Sequence, residues 1–272
     1  MGKHTFYSTV KRNMDIDEEL NHFIDDLVSA NQMETDEDSL VVPIHPDIYF
    51  KLNSVNLVIG KRGSGKTYTT LREILKLTLL LGEDKPYTQC HYVTDKYDDD
   101  TVAKFKPLFD DKGLFFNWCA TENAFTVIDS ISRLKHVLRD PPDADGVETF
   151  LEQARQVLNC KDERIPHTIV IFDDCMGLFT KDSPLSKRLF ENRQARITYF
   201  LLLQDTKGIS TTMKANVNSL VLFGGFSPQK YNYLFYQVQA LDLTYADYAS
   251  LAPHQAVCID FNDNSVRFFN LT

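Results

Sequence analysis

An α/β fold, with a mainly parallel sheet flanked by helices, is predicted by three features of this sequence. Short apolar runs of strand length alternate with longer helical patterns along most of the chain. One run, Val55-Asn56-Leu57-Val58-Ile59, leads directly into the glycine-rich segment Gly60-Lys61-Arg62-Gly63-Ser64-Gly65-Lys66-Thr67, and a helical pattern follows. Another, Thr168-Ile169-Val170-Ile171-Phe172, ends in the adjacent carboxylates Asp173 and Asp174.

The elements follow in order. Residues 15–38 hold ten acids and no Lys or Arg, and within them Leu20, Phe23, Ile24, Leu27 and Val28 fall at i, i+3, i+4, i+7, i+8. That spacing predicts a helix with one apolar stripe and a carboxylate face. Such a helix packs on its own domain or, in the sharper reading, docks on a neighbouring subunit or another protein. Residues 32–39 read as a polar linker, and Pro43 and Pro46 mark an extended entry. An acidic N-terminal segment over 1–40 and a nucleotide domain over 41–272 are therefore expected. Core strands are placed at 55–59, 90–94, 168–172, 198–203 and 219–223. Helices are placed after the glycine-rich loop, over 98–109, in parts of 123–138 and 147–159, and over 184–192. The run Asp140-Pro141-Pro142-Asp143-Ala144-Asp145-Gly146 breaks the chain as an exposed loop. Strands at 256–261 and 265–270, flanking Asn262-Asp263-Asn264, predict a C-terminal antiparallel β-hairpin at the sheet edge.

At 272 residues and 43% hydrophobic, the chain can bury one substantial core, so one main domain is expected. No apolar run has the length of a membrane span, and the N-terminus lacks a signal-peptide stretch, which predicts a soluble, intracellular protein. Cys90, Cys119, Cys160, Cys175 and Cys258 are scattered without CxxC pairing. Buried thiols fit that dispersion better than a disulfide framework or a zinc site. The net charge of −9 is concentrated in residues 15–38, so the remainder is about +1 and local basic patches stay open to a polyanion.

The run Gly60–Thr67 satisfies G-x-x-x-x-G-K-[ST] between a strand and a helix, which predicts a nucleoside-triphosphate site. Glycines let consecutive N–H groups point at phosphate oxygens, Lys66 reaches the β and γ phosphates, and the Thr67 hydroxyl ligates Mg²⁺. Helical spacing of Thr70, Leu71, Ile74, Leu75, Leu77 and Thr78 puts the phosphates on a helix N-terminus. Asp173 is then the Mg²⁺ acid of a Walker B strand, and Asp174 the group that orients and deprotonates water. Gln204 ends the next apolar run; it either caps that strand or, if the strand lies between the other two, faces the γ-phosphate. Arg193 and Arg196 precede the same run and are either solvated arginines or a finger for a neighbouring subunit, with Arg193 the first candidate. The polar, basic stretch 205–214, and Lys104 and Lys106, read as surface residues or as contacts to nucleic-acid phosphates. No pattern for sequence-specific base recognition is present.

These motifs, with Asn192-Arg193-Gln194 ahead of the Gln204 strand and Lys214-Ala215-Asn216-Val217 before the next, resemble the poxvirus-type DNA-packaging ATPases of the FtsK/HerA superfamily. The resemblance covers roughly residues 50–272. It implies an additional-strand P-loop NTPase fold, ATP and Mg²⁺ as cofactors, and Asp173, Asp174, Gln204 and Arg193 as metal ligand, base, γ-phosphate sensor and intersubunit finger. Lys61-Arg62 stand where that family often has small residues, and the acidic N-terminal segment has no counterpart there.

The expected function is ATP-driven translocation of double-stranded DNA, in the particular form of viral genome packaging into a capsid. The implied partners are DNA, further copies in a pentameric or hexameric ring, and capsid proteins; the implied location is the host cytoplasm or viral factory, or the virion. The rival readings are a plasmid-transfer or replication ATPase of the same superfamily, and a nucleotide-gated scaffold that does not hydrolyse. A small-molecule kinase would call for a lid and an acceptor pocket instead.

Overall fold

The computed structural model describes residues 42–43, 48–81, 87–96, 98–143, 147–160, 165–180, 183–207, 209–238 and 243–270. The acidic stripe helix and linker expected before residue 40 lie outside the described residues. Strands β1 (Val42–Pro43) and β2 (Lys51–Leu52) form a small antiparallel pair. The chain continues through β3 (Val55–Ile59), α1 (Lys66–Leu81), β4 (Tyr87–Val93), α2 (Asp100–Asp111), β5 (Phe115–Cys119), α3 (Ala124–Arg139) and α4 (Val147–Val157). It then runs through β6 (His167–Asp173), α5 (Pro184–Phe190), β7 (Ile197–Leu203), α6 (Thr211–Lys214), β8 (Ser219–Phe223), α7 (Pro228–Val238), α8 (Tyr245–Ala249), β9 (Gln255–Asp260) and β10 (Ser265–Asn270).

The main sheet has eight strands in the order β10-β9-β8-β3-β7-β6-β4-β5. From β8 to β5 every neighbouring pair is parallel, and the C-terminal hairpin β9–β10 adds two antiparallel pairings at one edge. The sheet is therefore mostly parallel, with β7 inserted between the P-loop strand β3 and the acid-tipped strand β6. Period-two alternation sorts the central strands onto two apolar layers. Leu57, Ile59, Val170, Phe172, Tyr199 and Leu201 pack on the layer that includes α3, α5 and α7, whereas Val58, Ile169, Ile171, Phe200 and Leu202 pack on the layer with α1 and α2. Helix starts are closed locally: Asp99 accepts from the amides of Thr101 and Val102, Ser183 precedes Pro184, and Thr244 and Asp247 form a capping box.

Several elements differ from the sequence expectation. Strand β5 was not anticipated because Phe115-Phe116-Asn117-Trp118-Cys119 is short and, as an edge strand, only partly buried. Helices α6, α7 and α8 were not anticipated either; α7 keeps Tyr231 and Leu234 in the core, but Gln229, Lys230, Asn232 and Gln237 interrupt its aromatic and apolar residues. Helix α5 stops at Phe190, two residues before the expected end. Four of the five cysteines are buried and all five are free thiols.

The edge of the sheet where the parallel strands begin is polar inside. His167 Nδ1 lies 2.9 Å from Asn53 Oδ1, and the fully buried Lys135 donates to Thr168 Oγ1 at 2.8 Å and to the Arg196 carbonyl at 3.0 Å. Burial, helped by the Lys135 charge, pushes His91 down to about 4; burial with Arg196 and Lys135 holds His167 well below its ordinary value. These folded-state values lie under the ordinary 6.5, so as pH falls the unfolded chain takes up protons first. For His91 that stability is complete above 6.5 and falls as pH drops from there to about 4, by up to roughly 1.4 kcal/mol per pH unit, and His167 acts in the same direction. Urea unfolding at pH 7, 6 and 5 should show this loss, and His91→Gln should reduce its slope.

Candidate nucleotide site

Three strand ends meet at the opposite edge. The Gly60 N–H donates to the Leu203 carbonyl at 3.1 Å, which carries the β3–β7 ladder one residue into the loop. The loop then curls through Gly63 and Gly65 at φ 76° and 98°, left-handed positions where a side chain is strained. At Gly60 space is the limit: a Cβ there would lie 2.3 Å from Ser64 Oγ and 3.0 Å from Phe223 Cβ. Helix α1 opens at Lys66 with no acidic residue in its first turn to offset the positive end of its dipole.

Lys66 Nζ donates to the carbonyls of Gly60 at 3.0 Å and Lys61 at 3.1 Å, folding back over its own loop. Burial lowers its pKa from the ordinary lysine value, while Asp173 and Asp174 act to raise it. Asp173, the last residue of β6, accepts from the Tyr92 hydroxyl at 2.6 Å and from Thr67 Oγ1 at 3.3 Å. Burial raises its carboxyl above the usual range; the Tyr92 bond and the Lys66 and Lys96 charges pull the other way. Asp174 adopts φ 59°, and its N–H donates to the Leu202 carbonyl at 3.1 Å. Its carboxylate accepts from Lys96 Nζ at 3.0 Å and from Gln204 Nε2 at 3.3 Å to each oxygen.

The structure thus brings together Gly60, Lys61, Arg62, Gly63, Ser64, Gly65, Lys66, Thr67, Asp173, Asp174 and Gln204, and Gln204 reaches Asp174 because β7 lies between β3 and β6. A nucleoside triphosphate with Mg²⁺ fits these residues. The loop is a main-chain cradle that side chains at Gly60 and Gly63 would obstruct or strain, Ser64 Oγ is buried without a partner among the described residues, and Thr67 and Asp173 offer adjacent oxygens.

Arg193 is not in this group. It lies in the turn before β7, on the edge where that strand starts, about 20 Å from the strand end at a rise of roughly 3.3 Å per residue. The turn is anchored: Asn192 Nδ2 donates to the Asn53 carbonyl, Arg139 to the Gln194 carbonyl, and Arg196 Nη1 to the Ile165 carbonyl at 2.9 Å. Arg196, the second finger candidate, is therefore engaged within its own subunit. The Arg193 guanidinium has no hydrogen-bond or ion-pair partner among the described residues. In the stretch 205–214, Asp205 pairs with Lys230 and residues 211–214 form α6, capped by Ser210; Lys106 pairs with Asp110.

Sequence motifs did not point to Tyr92, Lys96 or His254. The first two reach the site only because β4 lies beside β6, and His254 Nδ1 lies 3.3 Å from the Ser64 carbonyl because the turn into β9 folds over the loop. No motif spacing links these positions to the P-loop, so pairing of distant strands was the missing signal.

Fold and site together define a P-loop nucleotide-binding domain with an added strand between the P-loop strand and the acid-tipped strand. No protein-family model and no curated protein matches the chain. Among solved structures it is similar to the DNA-packaging ATPase of Sulfolobus turreted icosahedral virus, with TM-score 0.51 and 15% identity over 80% of this chain and 97% of that one. It is also similar to the genome packaging NTPase of Sulfolobus turreted icosahedral virus 2 in complex with ATP-γS, with TM-score 0.50 and 11% identity over 80% of this chain and 96% of that one. A third is EssC (ATPases 2 and 3) from Geobacillus thermodenitrificans, with TM-score 0.53 and 13% identity over 79% of this chain and 39% of that one. At these identities the likeness is one of fold.

Gly65→Ala places a side chain at φ 98°. It should cost about 1–2 kcal/mol in nucleotide-free urea unfolding.

Proposed function

We propose that this protein is an ATPase that works in a homo-oligomeric ring and couples hydrolysis to movement of double-stranded DNA, in the form of packaging a viral genome into a capsid. The observation that carries the ATPase reading is the convergence of Lys66, Thr67, Asp173, Asp174 and Gln204 at three adjacent strand ends. The packaging reading draws support from the fold likeness that spans nearly all of a viral DNA-packaging ATPase, and from the motif resemblance.

ATP with Mg²⁺ supplies the phosphoanhydride that is broken. Lys66 leaves the carbonyls of Gly60 and Lys61 to hold the β and γ phosphate oxygens, and the loop amides close around them. Thr67 and Asp173 would hold the metal, and Tyr92 keeps the Asp173 carboxylate oriented toward Thr67. Asp174 accepts a proton from water on the γ side, with Gln204 fixing the direction of its carboxylate. Arg193 is out of reach of its own loop, so as a finger it acts on a neighbour's site, and its anchored turn holds it ready for that.

Steady-state ATPase assays with and without double-stranded DNA, beside mass measurement of the nucleotide-bound oligomer, test this reading. DNA stimulation and a closed ring are the expected results; a monomer indifferent to DNA would overturn the motor and leave at most the ATPase. Lys66→Ala should abolish turnover, and Asp174→Asn should retain ATP-γS binding while turnover falls by about 10²–10⁴. Tyr92→Phe should raise the Mg²⁺ concentration needed for half-maximal hydrolysis, since it removes the hydrogen bond that favours ionised Asp173. Arg193→Ala should lower turnover by about 10³ or more with nucleotide affinity unchanged. Mixing it with Lys66→Ala subunits should restore part of the activity, and failure in demonstrably mixed rings would count against action in trans.

A further inference from the structure

The two carboxylates at the site are not held alike. Asp173 is served by two hydroxyls, from Tyr92 and Thr67, whereas Asp174 carries an ion pair with Lys96 at 3.0 Å. Lys66, the lysine of the motif, is occupied by main-chain carbonyls. Lys96 belongs to no motif; it lies three residues beyond the end of β4, a strand that reaches the site through its pairing with β6.

Its backbone is anchored while its side chain is not. The Thr94 N–H donates to the Cys119 carbonyl at 3.0 Å, and the Lys96 N–H donates to Thr94 Oγ1 at 3.1 Å. Between them the Asp95 carboxylate accepts from the Thr121 N–H at 3.1 Å and from its hydroxyl at 2.6 and 2.7 Å. From this fixed base the Lys96 side chain, 62% exposed, extends over Asp174. Its ammonium is stabilised first by the hydrogen bond to Asp174 and further by Asp173, and it acts electrostatically on Lys66. Its ammonium lies 3.0 Å from the carboxylate that directly follows Asp173, the residue whose carboxylate accepts from Thr67.

We propose that Lys96 is a second cation for the γ-phosphate, one that pairs with Asp174 when that phosphate is absent and exchanges to it when it is present. The proposal rests on the ATPase reading and deepens it by assigning a residue that distinguishes triphosphate from diphosphate. A carboxylate and a phosphate side by side repel, and a compact ammonium on a flexible stem can serve either. While Lys96 holds Asp174, the ammonium occupies Oδ2, and a water must displace it to use that oxygen. Once Lys96 has moved, Gln204 still holds Asp174, and the carboxylate is free to accept a proton. A diphosphate offers nothing at the γ position and leaves the pair closed.

The test is a comparison of Mg²⁺–ATP-γS and Mg²⁺–ADP affinities by titration calorimetry on the full chain, for wild type, Lys96→Ala and Lys96→Arg, with Asp174→Asn as a fourth protein. Lys96→Ala should weaken ATP-γS binding by about tenfold or more and leave ADP binding unchanged. Lys96→Arg should recover most of the preference. Asp174→Asn, which frees Lys96 in advance, should bind ATP-γS at least as tightly as wild type. Equal effects on both nucleotides, or none on either, in a Lys96→Ala protein that melts like wild type would overturn the proposal while leaving the ATPase reading in place. A wild-type chain that binds neither nucleotide would overturn both.

Discussion

Main-chain hydrogen bonds hold β7 between β3 and β6, with Leu203 opposite Ile59 and Leu202 opposite Asp173. That register decides where the chemistry is, because the glycine loop, the acid pair and Gln204 each begin where one of these three strands stops. A slip of one residue in β7 would exchange its two apolar faces and turn Gln204 away from Asp174. Polar groups inside the sheet oppose such a slip. Asn56 Nδ2 donates to Ser54 Oγ at 2.8 Å and to the Tyr199 carbonyl at 3.1 Å, and its Oδ1 accepts from Ser219 at 2.6 Å. Moving either flanking strand would leave these buried groups without partners, at a cost of about 1–3 kcal/mol each.

With the strands in place, adjacent acids in sequence acquire different environments. Asp173 remains in line with β6 and is partly buried against Tyr92, whereas the left-handed turn at Asp174 swings its carboxylate toward solvent and Lys96. One carboxylate is thereby suited to holding a metal within the sheet edge, and the next to accepting a proton beside it. Lys66 folds over the carbonyls of its own loop and Lys96 pairs with Asp174, so each of these two cations has a local partner at the site.

The far edge of the sheet serves a different purpose. The Asn53–His167 contact, Lys135 beneath the Arg196 carbonyl, and the Asn192 and Arg196 bonds make a fixed support for the turn that carries Arg193. A group held there is separated from its own loop by the length of β7.

Local sequence was sufficient for the elements whose signals are contiguous. The P-loop between strand and helix, the apolar run ending in Asp173-Asp174, and the hairpin around Asn262-Asp263-Asn264 were all legible, because turn geometry, helix starts and strand periodicity act within a few residues. Strand β5 and helices α6 to α8 were not, since edge exposure in β5 and the polar residues interleaved through α7 blur the periodicity that tertiary packing resolves. For the same reason local sequence does not tell that Gln204 reaches Asp174, a contact that follows from the place of β7 beside β6. Only the tertiary structure could bring Tyr92 to Asp173, Lys96 to Asp174 and His254 to the loop at Ser64, or separate Arg193 from the site and engage Arg196 elsewhere. These are consequences of pairing and packing between segments far apart in the chain, where hydrogen bonds and burial, rather than local propensity, determine which groups meet.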